Sequence, residues 1–197
     1  MRSLCNLVAL AMAAGLCLFN PAVSQEKKEG PNLQEMMKLG QPGEHHKHLD
    51  ALAGKWDLVL KLQGPGTGTT PSESKGTAEF KWIMERRFLV EEAKTQLFGK
   101  PFQWMGIYGY DNAGKKYTAV WVDNFQTHTE IGEGQCDGAG KVFTFVGESF
   151  NPGSKTKEKF KWVINVEGKD KIRTEMFQVS PEGKDTCMMV IHGTRAR

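Results

Sequence analysis

Trp56-Asp57-Leu58-Val59-Leu60-Lys61-Leu62-Gln63 decides how this chain folds. Bulky side chains at 56, 58, 60 and 62 alternate with Asp57, Val59, Lys61 and Gln63, and a period of two places alternate residues on opposite faces of an extended strand. The rhythm returns in Ala78, Phe80 and Trp82 against Glu79 and Lys81, and again in Phe160, Trp162, Ile164 and Val166 against Lys159 and Lys161. Turn formers punctuate the runs: Asp111-Asn112-Ala113-Gly114, Asp137-Gly138-Ala139-Gly140, Asn151-Pro152-Gly153, Glu167-Gly168 and Pro181-Glu182-Gly183. Their spacing leaves room for strands but not for the crossover helices that a parallel sheet needs.

About ten strands are expected, over residues 56–63, 75–84, 87–95, 102–110, 116–123, 128–135, 141–149, 157–166, 171–179 and 185–194. Short connections make sequential neighbours antiparallel, and an open meander of that size exposes two sheet edges that closure removes. The expected fold is therefore all-β, an antiparallel up-and-down β-barrel, with an open two-sheet sandwich as the alternative. A short helix over Glu44–Ala53, with Leu49 and Leu52 on one face and Gly54 as its stop, can plug one barrel end. Every connection except 64–74 has hairpin length.

Ahead of the barrel, Arg2, the apolar run Leu4 to Phe19 and the small-residue site Ala22-Val23-Ser24 form a secretory signal pattern. The run is about 16 residues where a membrane-spanning helix takes about 20, so cleavage rather than anchoring is expected, with an exported, periplasmic or extracellular product. The membrane is then met only through the signal before it is cut. Lipidation is the lesser alternative, because Leu4 precedes Cys5 and Leu16 precedes Cys17 where a small residue is wanted. The division is 1–24 signal peptide, 25–43 flexible leader interrupted by Gly30-Pro31, Gly40 and Pro42, and 44–197 barrel. A short helical pattern, Leu33 to Leu39, lies inside the leader.

The chain carries 26 basic and 23 acidic residues, and near-neutrality gives no electrostatic case for nucleic acid. Cys136 and Cys187 remain after the signal. In an up-and-down barrel they fall at opposite ends, roughly 20 Å apart at about 3.4 Å per residue, which predicts two free thiols.

Gly54-Lys55-Trp56, opening the first strand after a helix, resembles the G-x-W signature of lipocalins, whose tryptophan packs across the closed barrel end. Gly106 to Asp123, with Gly109-Tyr110-Asp111, Tyr117 and Trp121, followed by Gly134 to Gly140 and a closing strand ending at Arg195, resembles the bacterial family DUF1579. Glu44-His45 to Trp56 and Gly76-Thr77 extend the likeness over about residues 44 to 195. The resemblance implies a calycin-like barrel and export in many members. It transfers no catalytic residue.

Candidate binding residues cluster on the fourth and fifth strands. Trp104, Tyr108 and Tyr110 share one face, as do Tyr117, Trp121 and Asp123, and Trp82 joins them from the second strand. Pointing inward, they form either an aromatic pocket for a small apolar ligand or simply the barrel filling, with Asp111 and Asp123 as acceptors for buried O–H and N–H groups. Of His45, His46 and His48, two stand three apart on a helix, His45 and His48, a spacing that can ligate a metal; nothing obvious completes the set, and a solvated helix face is the favoured account. His192 lies in phase with Met188 and Val190 near the C-terminus. Haem barrels of the nitrobindin kind, to which the chain is similar only in architecture, take an axial histidine from that region. His128 and Glu130, two apart on the sixth strand, are an acid–base pair with Asp123 if they face inward, and surface residues if they face out. No nucleophile elbow, phosphate loop or paired-cysteine motif occurs, so the chain presents no recognisable catalytic motif.

Overall fold

The computed structural model describes residues 32–64, 73–151 and 154–197; the signal segment 1–24 and leader residues 25–31 lie outside them. Ten antiparallel strands close into one barrel in the order β1-β10-β9-β8-β7-β6-β5-β4-β3-β2. They are β1 (Gly54–Leu62), β2 (Glu73–Ile83), β3 (Phe88–Leu97), β4 (Lys100–Asp111), β5 (Lys116–Asp123), β6 (Glu130–Cys136), β7 (Val142–Asn151), β8 (Thr156–Val166), β9 (Lys171–Val179) and β10 (Asp185–Arg195). All ten expected strands are present, and no boundary differs by more than a few residues. Closure comes from β1 and β10, where Trp56 pairs with Arg195 and Leu60 with Ile191. Both edges of the meander disappear in that seam.

Alternation sorts the side chains. Trp56, Leu58 and Leu60 of β1, Phe102, Trp104 and Tyr108 of β4, Phe143 and Phe145 of β7, and Phe160, Trp162 and Ile164 of β8 join one continuous core inside the barrel. The aromatic load is accommodated by glycines on β6. A Cβ on Gly134 would stand 1.9 Å from the Thr144 carbonyl oxygen, so the close approach of β6 to β7 requires glycine there.

Two short helices precede the barrel, α1 (Leu33–Leu39) and α2 (Glu44–His48), and a 3-10 turn (Leu49–Ala51) continues α2. The expected helix 44–53 is thus split, with its last turn tightened. The leader pattern at Leu33 to Leu39 forms a helix with a capping box, in which Asn32 accepts from Glu35 N at 3.0 Å. Its exit is tied to the barrel, since Asn112 Nδ2 donates to the carbonyls of Leu39 at 2.6 Å and Gln41 at 2.8 Å, and Arg87 Nε to that of Gly40 at 2.9 Å. Among the described residues no helix is long and apolar enough to cross a membrane.

Helix α2 and the 3-10 turn close one barrel end, with Leu49 and Leu52 fully buried beneath them. Trp56 Nε1 donates to Leu52 O at 2.7 Å, and the Arg195 guanidinium lies 4.2 Å over the Trp56 ring. Arg195 also donates to Ala53 O at 2.8 Å and Ala51 O at 3.1 Å, so one residue from the last strand holds both the tryptophan face and the plug backbone. The opposite end, where β1, β3, β5, β7 and β9 finish, carries no such cover among the described residues. Cys136 finishes β6 at the plugged end and Cys187 begins β10 at the other, and both are free thiols.

Candidate functional site

The plugged half of the lumen is filled by the residues that the sequence singled out. Tyr117 is buried, and its hydroxyl donates to His45 O at 3.0 Å and meets His48 Nδ1 at 2.8 Å. His45 stacks on Tyr110 with ring centres 4.2 Å apart. Those contacts occupy the two histidines spaced for a metal, and no group of three or more His, Cys, Asp or Glu residues placed to hold an ion occurs among the described residues. His46, between the two histidines spaced for a metal, is the histidine of α2 that is buried; its Nδ1 accepts from Gly43 N at 3.0 Å, and burial lowers its pKa. Trp82 sits at the same rim, donating to Asp50 Oδ1 at 2.8 Å beneath Arg86, which pairs with that aspartate.

At mid-height an unforeseen carboxylate organises the wall. Glu91 on β3 is only 6 % exposed, accepting from Trp104 Nε1 at 2.9 Å and from the Tyr108 hydroxyl at 2.7 Å. Burial pushes its pKa from the ordinary 4.5 up to about 7, against the pull of those two donors. Gly106 faces it from β4: a Cβ there would lie 2.9 Å from the Tyr108 hydroxyl and 3.0 Å from Glu91 Oε2. Asp111, one of the expected acceptors, instead caps its own turn by accepting from Ala113 N at 2.9 Å. Asp123 does accept from Trp121 Nε1, at 3.0 Å. Trp121 in turn stacks on Trp104, with ring centres 5.3 Å apart.

Open volume begins above this layer. A cavity of about 280 Å³ lies at the unplugged mouth, between β6, β7, β8, β9 and the start of β10. Its floor and sides are apolar: Phe160 and Trp162, stacked at 4.7 Å, with Met176 and Met188. Above them runs a polar collar of Gln126, His128, Glu130, Ser149, Glu158 and Gln178. A larger hollow of about 620 Å³ beside Pro181 lies among Lys157, Lys159 and Glu148, on the outer side of β7 and β8.

His128 and Glu130 therefore face inward, with side chains 29 % and 14 % exposed and Nε2 3.8 Å from Oε1. Burial raises the Glu130 pKa, partly countered by His128 and by hydrogen bonds from Ser149 and Gln126. Glu158 is already engaged by Ser154, Asn151 and Gln178, which lower its pKa. Asp123 accepts from Phe125 N, Gln126 N and Gln126 Nε2 as well as from Trp121.

Of the residues marked in the sequence, Trp121 and Asp123 border the mouth, through the Trp121–Trp162 contact at 6.1 Å and the Asp123–Gln126 bond at 3.0 Å. Trp82, Trp104, Tyr108, Tyr110 and Tyr117 lie deeper or at the plugged rim and do not line the cavity. His192 points out of the barrel, because its cross-strand partners Val59 and Arg173 belong to the outward set while its neighbours Ile191 and Gly193 are buried. That orientation takes the expected axial histidine away from the lumen. The expected phase with Met188 is also broken, since the β9–β10 register shifts between Cys187 and Met189. The lining that the sequence did not single out comes from β8 and β9: Phe160, Trp162 and Met176.

Comparison with known proteins supports the architecture. The crystal structure of Rv2717c from M. tuberculosis is similar with a TM-score of 0.56 and 17 % identity, covering 80 % of this chain and 100 % of that one. A de novo designed fluorescence-activating β-barrel gives a TM-score of 0.42 and 11 % identity over 75 % of this chain and 95 % of its own. At 17 % identity the likeness to the M. tuberculosis protein is one of fold. No curated protein matches the chain. A family model matches residues 41–195, from the exit of α1 to the last residue of β10, and the chain belongs to that family, described as protein of unknown function (DUF1579).

Proposed function

We propose that this protein is an exported barrel that holds a small apolar molecule in its mouth cavity. The observation that carries the reading is the contrast along the barrel axis: side chains fill the plugged half, whereas an apolar floor of Phe160, Trp162, Met176 and Met188 lies open under a polar collar. Small-molecule sites are concave, mostly apolar and fitted with a few convergent polar groups, and a volume of about 280 Å³ suits a one- or two-ring compound. Trp104, Tyr108, Tyr110, Tyr117 and Trp82 act in this reading as the rigid wall beneath the site, with Trp121 and Asp123 as its nearest layer. Export rests on Arg2, the Leu4–Phe19 run and Ala22-Val23-Ser24.

Trp162 reports occupancy directly. Titrating aromatic and short-chain aliphatic compounds is expected to quench intrinsic fluorescence, and Trp162→Phe is expected to remove most of the response while the barrel stays folded. A full panel without any change in emission rejects the reading, as does the same response in the Phe variant. Native mass spectrometry of protein purified from its own host adds a second readout: a chain beginning at Gln25 with a small molecule retained. A chain that retains Met1 and is absent from the exported fraction overturns the export part.

A further inference from the structure

At the mouth, His128 and Glu130 point to the head group of the ligand. His128 Nε2 is buried and has no hydrogen-bond partner among the described residues, and Glu130 Oε1 stands 3.8 Å from it. Such a separation is too long for a hydrogen bond between the two atoms. A single donor nitrogen bridges that separation at about 2.8–2.9 Å from each once the collar side chains covering Nε2 move aside. The other collar carboxylates do not compete for that donor: Asp123 and Glu158 are each held by several donors of the chain itself. Glu130 accepts from Ser149 and Gln126, and burial still works against its charged form. The basic residue at the rim, Lys159, belongs to the outward set of β8, pairing with Glu148 and Val179. The inward charge of the collar is therefore acidic, which disfavours an anionic head group. Below it, the stacked faces of Phe160 and Trp162 suit an aromatic or aliphatic body and offer a cation a favourable ring quadrupole.

We propose that the mouth selects an apolar molecule bearing a primary ammonium group, which donates to Glu130 Oε1 and His128 Nε2 while its body lies on Phe160 and Trp162. This rests on the reading of the mouth as a ligand site and adds the ligand's chemical class. With the His128 proton on Nδ1, so that Nε2 accepts, an ammonium, which has donors and no acceptor, satisfies both atoms at once, whereas a single O–H satisfies one and a carboxylate is repelled by Glu130.

Three probes built on one skeleton test it: 2-naphthylmethylamine, 2-naphthalenemethanol and 2-naphthoic acid, titrated by calorimetry into the purified protein at neutral pH. The amine is expected to bind about 10- to 100-fold more tightly than the alcohol, as a charge-assisted hydrogen bond warrants, with the acid weakest. Glu130→Gln, which keeps a carbonyl oxygen for Ser149 and Gln126, is expected to remove the amine's advantage over the alcohol. An alcohol or acid that binds as tightly as the amine overturns the head-group assignment while leaving the mouth as the site. Three probes that all fail to bind, with Trp162 emission unmoved, remove the ligand site itself. If Glu130→Gln does not fold, the order of the three probes on the unaltered protein decides the matter alone.

Discussion

Trp56→Ala is expected to lower the unfolding free energy by about 3–5 kcal/mol, the cost of emptying a large aromatic site in a core that cannot collapse around it. The residue is 1 % exposed and touches three layers at once. Its ring fills the plugged end, its Nε1 donates to Leu52 O at 2.7 Å, and its face carries the Arg195 guanidinium at 4.2 Å. Denaturant unfolding followed by circular dichroism measures the loss. A midpoint within experimental scatter of the parent's would show that the plug is not held by this residue. Arg195→Met tests the other half, because it keeps the stem but removes the donors to Ala51 O, Ala53 O and Lys169 O, at an expected cost of about 1–3 kcal/mol. The two changes share partners and should not add: the double variant is expected to fall short of the summed losses by about 1 kcal/mol. Full additivity would separate the ring from the guanidinium energetically.

The protein is also expected to be less stable at pH 8 than at pH 5 by about 2–3 kcal/mol on account of one residue, Glu91. Burial raises the folded pKa to about 7 from an unfolded value near 4.5, so between those limits the native state holds a proton that the unfolded chain has released. Stability then falls as pH rises through that window. The contribution is complete below the unfolded pKa and gone above the folded one. Glu91→Gln retains an acceptor for Trp104 Nε1 or Tyr108 and carries no titrating proton, so its unfolding free energy is expected to fall by about 2–3 kcal/mol less than the parent's across the same interval. At pH 8 it is expected to exceed that of the parent. A parent protein whose stability rises from pH 5 to pH 8, or a Gln variant with the parent's slope, contradicts the assignment. Glu130 shifts in the same direction and lies in the mouth, so the comparison must be made between parent and Glu91→Gln rather than on the parent alone.

Glu91 shows where the reading of residues stops. In Phe88-Leu89-Val90-Glu91-Glu92-Ala93, two acids stand side by side and one of them must face in, yet both look like surface residues. Only the neighbouring strands reveal which: Gly106 across the ladder leaves space for a carboxylate, and Trp104 and Tyr108 supply its donors. The same limit affects His128 and Glu130. Their spacing of two puts them on a common face, but which face depends on the curl of β6 into the barrel. His192 reads in phase with Met188 and Val190 along the sequence, and the irregularity between Cys187 and Met189 breaks the phase with Met188 alone, without a glycine or proline beside it to announce the shift.

What the chain determined by itself is the architecture. The two-residue alternation from Trp56 onward, the hairpin-length turns and the Gly54-Lys55-Trp56 entry are local properties, and a sheet of ten such strands has closure as its means of hiding two edges. Inward parity on β4 and β5 followed from the same alternation, because Trp104, Tyr108, Tyr117 and Trp121 are too apolar to stand in water together. Where the lumen is empty was decided by tertiary structure alone. Free volume is the difference between a barrel's girth and the side chains that meet across it, and the contacts that settle it, Trp104 on Trp121 and Phe160 on Trp162 among them, join residues whose packing no local pattern encodes.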